Sequence, residues 1–390
     1  ERMKGTEDVV TIGMRGDGDE AMSEDTNVKL LEDIVDNQRR IIKEVTGRPA
    51  KETPQVWALY KEVLDYYDKG MRVPDDVIML LCDDNWGNVR RLPNAEERKH
   101  PGGFGMYYHV DYVGAPRNTK WLNVTPIQGM WEQLHLTYEY GVDKLWVLNV
   151  GDLKPMEYPI TLFLDMAWNP LAYTAENFMQ HPRNFCAQAF GEEQADEAAR
   201  ILNLYSKYNG RVTAEMLDAR TYNLATGEWK QVADDYAHLE AEALRQYLTL
   251  APAYRDAYKQ LILFPVQAMS NLYEMYYAQA MNHKLYAEGN PEANAWADKV
   301  EKAFARDKAL SDDYNNVMSG GKWKNMMIQK HIGYTSWNDN FPADRLPKVF
   351  RIAEPEKAVG GYVFTGADGY VAMEAPHFFE CQAAEGTSWK

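Results

Sequence analysis

Residues 77–85 read VIMLLCDDN. Six apolar side chains in a row, the first two β-branched, predict a strand buried on both faces, as in a parallel sheet. The run then ends in Asp83, Asp84 and Asn85, side by side. Ionised carboxylates repel one another and lose hydration beside apolar neighbours. Such a cluster belongs where a strand leaves the core and faces a shared space.

The pattern recurs up to about residue 170. VVTIGM (9–14) is a short apolar run followed by Arg15, Asp17 and Asp19 in a glycine-rich loop. GFGMYYHVDYVG (103–114) reads as a strand carrying His109 and Asp111, and KLWVLNVGD (144–152) as one ending in Asn149 and Asp152. Between these runs, NVKLLEDIVDNQRRII (27–42), TPQVWALYKEVLDYYDKG (53–70) and MWEQLHLTYEYG (130–141) have helical spacing. The second is expected to start with Thr53 as N-cap and Pro54 at the first helical position, and to stop at Gly70. YPITLFLDMAWNP (158–170) fits helix and strand equally.

Four strands alternating with helices imply parallel βαβ units and an α/β fold. Polar residues at every strand end match a barrel, where the loops after the strands converge on one mouth. The expected architecture is the C-terminal half of a (β/α)8 TIM-type barrel over residues 1–170, the earlier strands lying upstream. A doubly wound sheet would alternate in the same way, but no glycine fingerprint for a dinucleotide is present. From 171 to 350 every segment has helical period, with caps expected at Thr213 and Ser311 and a break at Pro265. This reads as an all-α bundle whose Met, Tyr and Leu stripes are core. From 351 to 390 glycines and alternating apolar residues read as the start of a C-terminal β-sandwich domain. The abrupt start at Glu1 reads as that of a fragment.

The net charge of −16 argues against nucleic acid as a partner, because phosphate contacts need basic surface. The longest apolar runs are far too short for membrane insertion as a spanning helix. The three cysteines, Cys82, Cys186 and Cys381, show no metal spacing. SGGKWK (319–324) lacks the full phosphate-loop pattern, and no serine or cysteine sits in a nucleophile-elbow context. Eleven Trp and twenty-five Tyr suit carbohydrate sites and protein cores alike.

The residues at the strand ends leave two chemistries open. Paired carboxylates cleave a glycosidic bond, one protonating the leaving oxygen and one activating water. Asp and His can instead hold a divalent metal for hydrolysis. A non-catalytic carbohydrate-binding fragment is the third reading. Each candidate has an ordinary explanation too. Asp17 and Asp19 suit a turn, Glu62 suits a solvated helix face, and His109 among aromatics suits a core.

Longer motifs narrow the choice. TIGMRGDGDEAM, LYKEV, LLCDDNWGNVRRLP, GGFGMYYHVDYVGAPRNTKWLN and LWVLNVGDLKPMEYP together resemble glycoside hydrolase family 115, the α-glucuronidases. HIGYTSWN and GYVAMEAPHFFE are similar as well. The resemblance implies an inverting enzyme without a metal or other cofactor. Its expected substrate is glucuronoxylan or another glucuronidated polysaccharide such as decorated arabinogalactan, from which it removes α-1,2-linked (4-O-methyl-)glucuronic acid. It implies a secreted or periplasmic protein and leaves room for a homodimer.

Residue by residue, the resemblance implies Arg15 as partner of the uronate carboxylate and Glu62 as general acid. It implies Asp19 as an essential carboxylate and candidate base. It places Asp83 with Asn85 in positioning water or substrate, and Tyr112 against the sugar. The base is left open between Asp19 and Asp83. His109 and Asn149 join the binding set from their strand-end positions, and Asp84 is expected to point elsewhere. A general acid must be neutral at working pH, so a raised pKa is expected for Glu62.

Overall fold

The computed structural model describes residues 6–16 and 27–353, with a two-residue antiparallel ladder pairing 366–367 and 370–371. Asp17, Asp19 and most of the expected β-sandwich domain lie outside the described residues.

Five parallel strands form one sheet in the order β1 (Val10–Ile12), β2 (Gln55–Leu59), β3 (Val77–Cys82), β4 (Phe104–His109) and β5 (Leu145–Asn149). Each strand adds on the same side of the one before. A doubly wound sheet reverses direction at a switch point, so this order decides for the singly wound, barrel-like course. The sheet is a half-barrel of five strands. β3 is nearly continuous core, as its sequence predicts. Every residue of β5 is only half-buried, because this strand is paired on one side.

The structure corrects the reading of residues 53–70. They do not form one helix. Gln55–Leu59 is a strand in register with β1 and β3, and only Glu62–Asp68 is helical (α2). Thr53 and Pro54 precede the strand, where Pro54 accepts a hydrogen bond from Val10 N (2.9 Å). Burial decides the matter. Val56, Trp57 and Leu59 are all in the core, and the side chain of Gln55 is met by Arg39 and by the carbonyls of Ala50 and Thr53. Trp57 packs so closely on Gly13 that a Cβ there would lie 2.9 Å from the indole, and Gly13 has φ +92°. Two further boundaries shift. The β4 strand ends at His109, so Asp111 and Tyr112 lie in the loop beyond it. The link from β3 to β4 holds no α-helix, only a 3-10 turn at Glu97–Lys99.

Helices α1 (Val28–Thr46), α3 (Ile127–Glu139) and α4 (Glu157–Trp168) accompany the sheet, which settles the ambiguous segment 158–170 as helix. The bundle follows as α5 (Gln180–Phe190), α6 (Ala195–Asn209), α7 (Glu228–Thr249), α8 (Pro252–Tyr258), α9 (Phe264–Ala287) and α10 (Ala293–Asn316). In α9, 16 of 24 residues are buried, so it is the central helix, apolar all round, between α7 and α10. Pro265 does not break it. A π-turn at Lys259–Leu263 joins α8 to α9, and Pro265 stands in the first turn, where its missing N–H costs nothing. Ser311 lies inside α10 rather than capping it. Thr213 precedes only a 3-10 turn, and its hydroxyl makes no cap.

After α10 the chain returns along the molecule as a strap over residues 327–353. Gln329 Nε2 donates to Asp152 (2.7 Å) and Asn118 Nδ2 donates to Trp337 O (2.7 Å), which ties the strap to the barrel loops. Asn282 and Asn294 bind its later backbone on the bundle side.

Candidate active site

The C-terminal ends of β1 to β5 bring the sequence candidates together on one rim. Arg15 follows β1 and Glu62 opens α2 just after β2. Their side chains form a two-pronged ion pair, Nε to Oε1 at 2.7 Å and the second guanidinium nitrogen to Oε2 at 2.9 Å. This is the fork geometry in which a planar guanidinium meets a carboxylate. Glu62 is therefore not a solvated helix residue. It is half-buried, at the first position of a seven-residue helix.

Tyr60 links this pair to the next strands. The Arg15 guanidinium lies 5.1 Å from the Tyr60 ring centre, and the Lys61 ammonium 5.0 Å. The other neighbour of that ring is His109, stacked at 6.1 Å. Sequence reasoning missed Tyr60, although it stands in the LYKEV motif between the strand and Glu62. Lys61 has φ 50° and ψ −124°, a left-handed conformation costly for a residue with a Cβ. The strained turn is what delivers Tyr60 and Glu62 to the rim one after the other.

Asp83 is wholly engaged. Its Oδ1 accepts from His109 Nδ1 (2.6 Å) and Asn85 N (3.0 Å), and its Oδ2 from His109 N (2.9 Å) and Gly87 N (3.1 Å). The side chain is fully shielded from solvent. With Nδ1 donating to Asp83, the other imidazole nitrogen of His109 is left toward the rim. Asp83 thus sets the tautomer and tilt of His109 and the path of the loop that carries Asn85. Asn85 adopts φ 71°, and its Oδ1 is buried with no partner. Asp84 points away, as expected, and binds Trp86 N, Asn88 N and the Asn88 side chain.

Asn149 ends β5 in register with His109 and hydrogen-bonds Tyr107, whose ring lies 4.5 Å from that of His109. Tyr112 is set apart from this group. Its hydroxyl donates to Ala115 O (3.3 Å), and its ring leans on Trp86 at 5.2 Å. Asp19 lies outside the described residues.

The electrostatics differ from expectation at Glu62. Burial alone would raise its pKa, but the hydrogen bonds from Arg15 and from its own backbone N–H, with the charges of Arg15 and Lys61, hold it below the ordinary carboxylate value. In this state Glu62 is an ionised counter-ion, not a proton donor. The group that is pushed up is Asp111, to about 6. Burial is the largest cause, opposed by Lys120 and His109 and reinforced by Glu215 and Asp152.

One cluster among the described residues has metal-like spacing, Asp307, His331 and Asp344 in the strap and α10. His331 Nδ1 faces a carbonyl, Gln329 O (2.9 Å), so that nitrogen must donate. Its Nε2 faces Asp307 Oδ1 (2.9 Å). Burial would depress this imidazole, but Asp307 and Asp344 overcome it and hold it up at about 9. The cation among these carboxylates is the imidazolium itself, lying flat on Trp121 at 3.4 Å.

The geometry can be set beside known proteins. Among the solved structures that this fold is similar to is a 4-O-methyl-α-glucuronidase of family 115 with specificity for decorated arabinogalactans. It shares 29% identity and a TM-score of 0.74, over 91% of this chain and 47% of that one. The chain thus spans about half the length of that enzyme. No curated protein matches the chain. The profile of glycosyl hydrolase family 115 matches residues 1–216, more than half of the 390 residues and all of the rim described above. The chain belongs to glycosyl hydrolase family 115.

Proposed function

We propose that the protein removes α-linked glucuronic acid or 4-O-methylglucuronic acid from a glucuronidated polysaccharide by single-displacement, inverting hydrolysis. The observation that carries this reading is the forked Arg15–Glu62 pair on an aromatic rim. A guanidinium shaped to hold one carboxylate is suited to hold another, and a uronic acid supplies it.

The pair also gives Glu62 a route to its role as acid. A uronate that draws the Arg15 fork away leaves Glu62 without its counter-ion. The uronate adds a negative charge beside it as well. Both changes raise the Glu62 pKa, toward the protonated form that hydrolysis needs. Protonated Glu62 then gives its proton to the glycosidic oxygen as the bond to the anomeric carbon breaks. Water attacks that carbon from the opposite face and loses its proton to a carboxylate, for which Asp19 is the candidate. Asp83 acts through others, holding His109 and the Asn85 loop, which with Asn149 and Tyr112 orient water and sugar. A polymeric substrate of this kind goes with a secreted or periplasmic protein.

The test is release of 4-O-methylglucuronic acid from glucuronoxylan and from decorated arabinogalactan by the protein in its natural length. Glu62→Gln should lower kcat by about 10²–10⁴, the usual share of general acid catalysis. Proton NMR should show the β-anomer first. Undiminished turnover in Glu62→Gln, or the α-anomer first, overturns the mechanism.

A further inference from the structure

Four buried side-chain oxygens that hydrogen-bond to nothing in the protein surround one space. They belong to Asn85, Asp111, Thr119 and Thr213, all of which line a cavity of about 340 Å3. It lies between the loops after β3 and β4 and the start of α3, and it shares Asn85, His109 and Tyr112 with the rim. Asp111 and Thr119 are only 5% and 3% exposed. A buried polar group left unpaired costs about 1–3 kcal/mol, and native proteins keep few of them. Four around one cavity call for a ligand that both donates and accepts hydrogen bonds.

The rest of the lining says which ligand. Trp86 is 42% exposed and presents its indole to the same space. The face of an aromatic ring is electron-rich and attracts polarised C–H groups. No lysine or arginine lines the cavity, whereas Asp111 and Glu132 do, so a carboxylate is unwelcome there. A pyranose without charge meets both conditions, with hydroxyls at its edge and C–H bonds on its face.

We propose that this cavity is a subsite for a neutral pyranose of the polysaccharide that carries the uronic acid, stacked on Trp86 and hydrogen-bonded by Asn85, Asp111, Thr119 and Thr213. The inference rests on the proposed function and divides its substrate. The charged sugar goes to Arg15 and the uncharged chain to the cavity. Asp111, pushed up to about 6, keeps a proton to donate in mildly acid solution.

Calorimetric titration of the natural-length protein with xylotriose, and separately with a galactotriose, tests it and tells the two backbone sources apart. One trisaccharide should bind, and Trp86→Ala should weaken it at least about tenfold, the scale of one aromatic contact. Thr213→Val, which keeps the shape and removes only the hydroxyl, should weaken it about threefold. Binding of neither sugar, or equal binding in Trp86→Ala, overturns the subsite. Uronic acid release is measured alongside. Neutral-sugar binding without any release keeps the subsite and sinks the hydrolase reading, while release without such binding does the reverse.

Discussion

At the scale of single residues, the acidic cluster after β3 divides by partner count. Asp83 receives four hydrogen bonds in a fully buried position, whereas Asp84 binds only its own loop at the surface. Removing a buried acceptor strands its donors, each costing about 1–3 kcal/mol. Asp83→Ala should therefore lower stability by at least about 3 kcal/mol, and Asp84→Ala by about 1 kcal/mol, as for a lost turn cap. Thermal unfolding of both variants beside the natural protein checks the order. Asp83→Ala should also abolish turnover, because His109 loses the partner that fixes its ring. Equal melting of the two variants would remove the positioning role given to Asp83. Neighbours in sequence, the two aspartates differ only in which way the backbone turns them.

At the scale of elements, the rim depends on short turns that leave each strand abruptly. Gly151, just after β5, has φ +56°, and a Cβ there would lie 2.4 Å from Asp111 Oδ2. Gly151→Ala combines backbone strain with a clash against a buried side chain. It should cost about 2 kcal/mol or more and displace Asp111 from the cavity wall. Paired melting curves and neutral-sugar titrations of the variant measure both effects; a variant as stable as the natural protein would refute the close packing. The elements also show where sequence patterns mislead. The run TPQVWALYKEVLDYYDKG carries a cap-like Thr-Pro start and a glycine stop, yet its first half is a strand. Local propensity favoured a helix. The energy of burying Trp57 between β1 and β3 in a parallel ladder outweighs that preference, and no local window contains those partners.

At the scale of the whole molecule, the strap couples the half-barrel to the bundle through His331. The imidazolium stacks on Trp121 and pairs with Asp307 of α10 and, at 3.7 Å, Asp344. Its folded-state pKa is raised, to about 9, against about 6.5 in an unfolded chain. The stabilisation from its charge is complete below about pH 6.5 and is lost as pH rises through about 9. The gap in melting temperature between the natural protein and His331→Gln should therefore be widest near pH 6 and narrow toward pH 10. A gap that stays constant across this range would show that His331 is not charged in the fold.

The sequence by itself determined the α/β alternation, the burial of VIMLLC and the placing of polar residues at strand ends. These follow from periodicity and hydrophobicity, which act within a few residues. The family motifs also marked Arg15, Glu62, Asp83, Asn85, His109, Tyr112 and Asn149 before any coordinates. Only the tertiary structure decided what those residues do to one another. It paired Arg15 with Glu62 and lowered a pKa that was expected to be raised. It buried Asp83 beneath His109, inserted Tyr60 between Arg15 and His109, and gathered four unpartnered oxygens around one cavity. The reason is range. Charge, desolvation and hydrogen-bond satisfaction are set by neighbours in space, and here those neighbours lie between 26 and 47 positions apart along the chain.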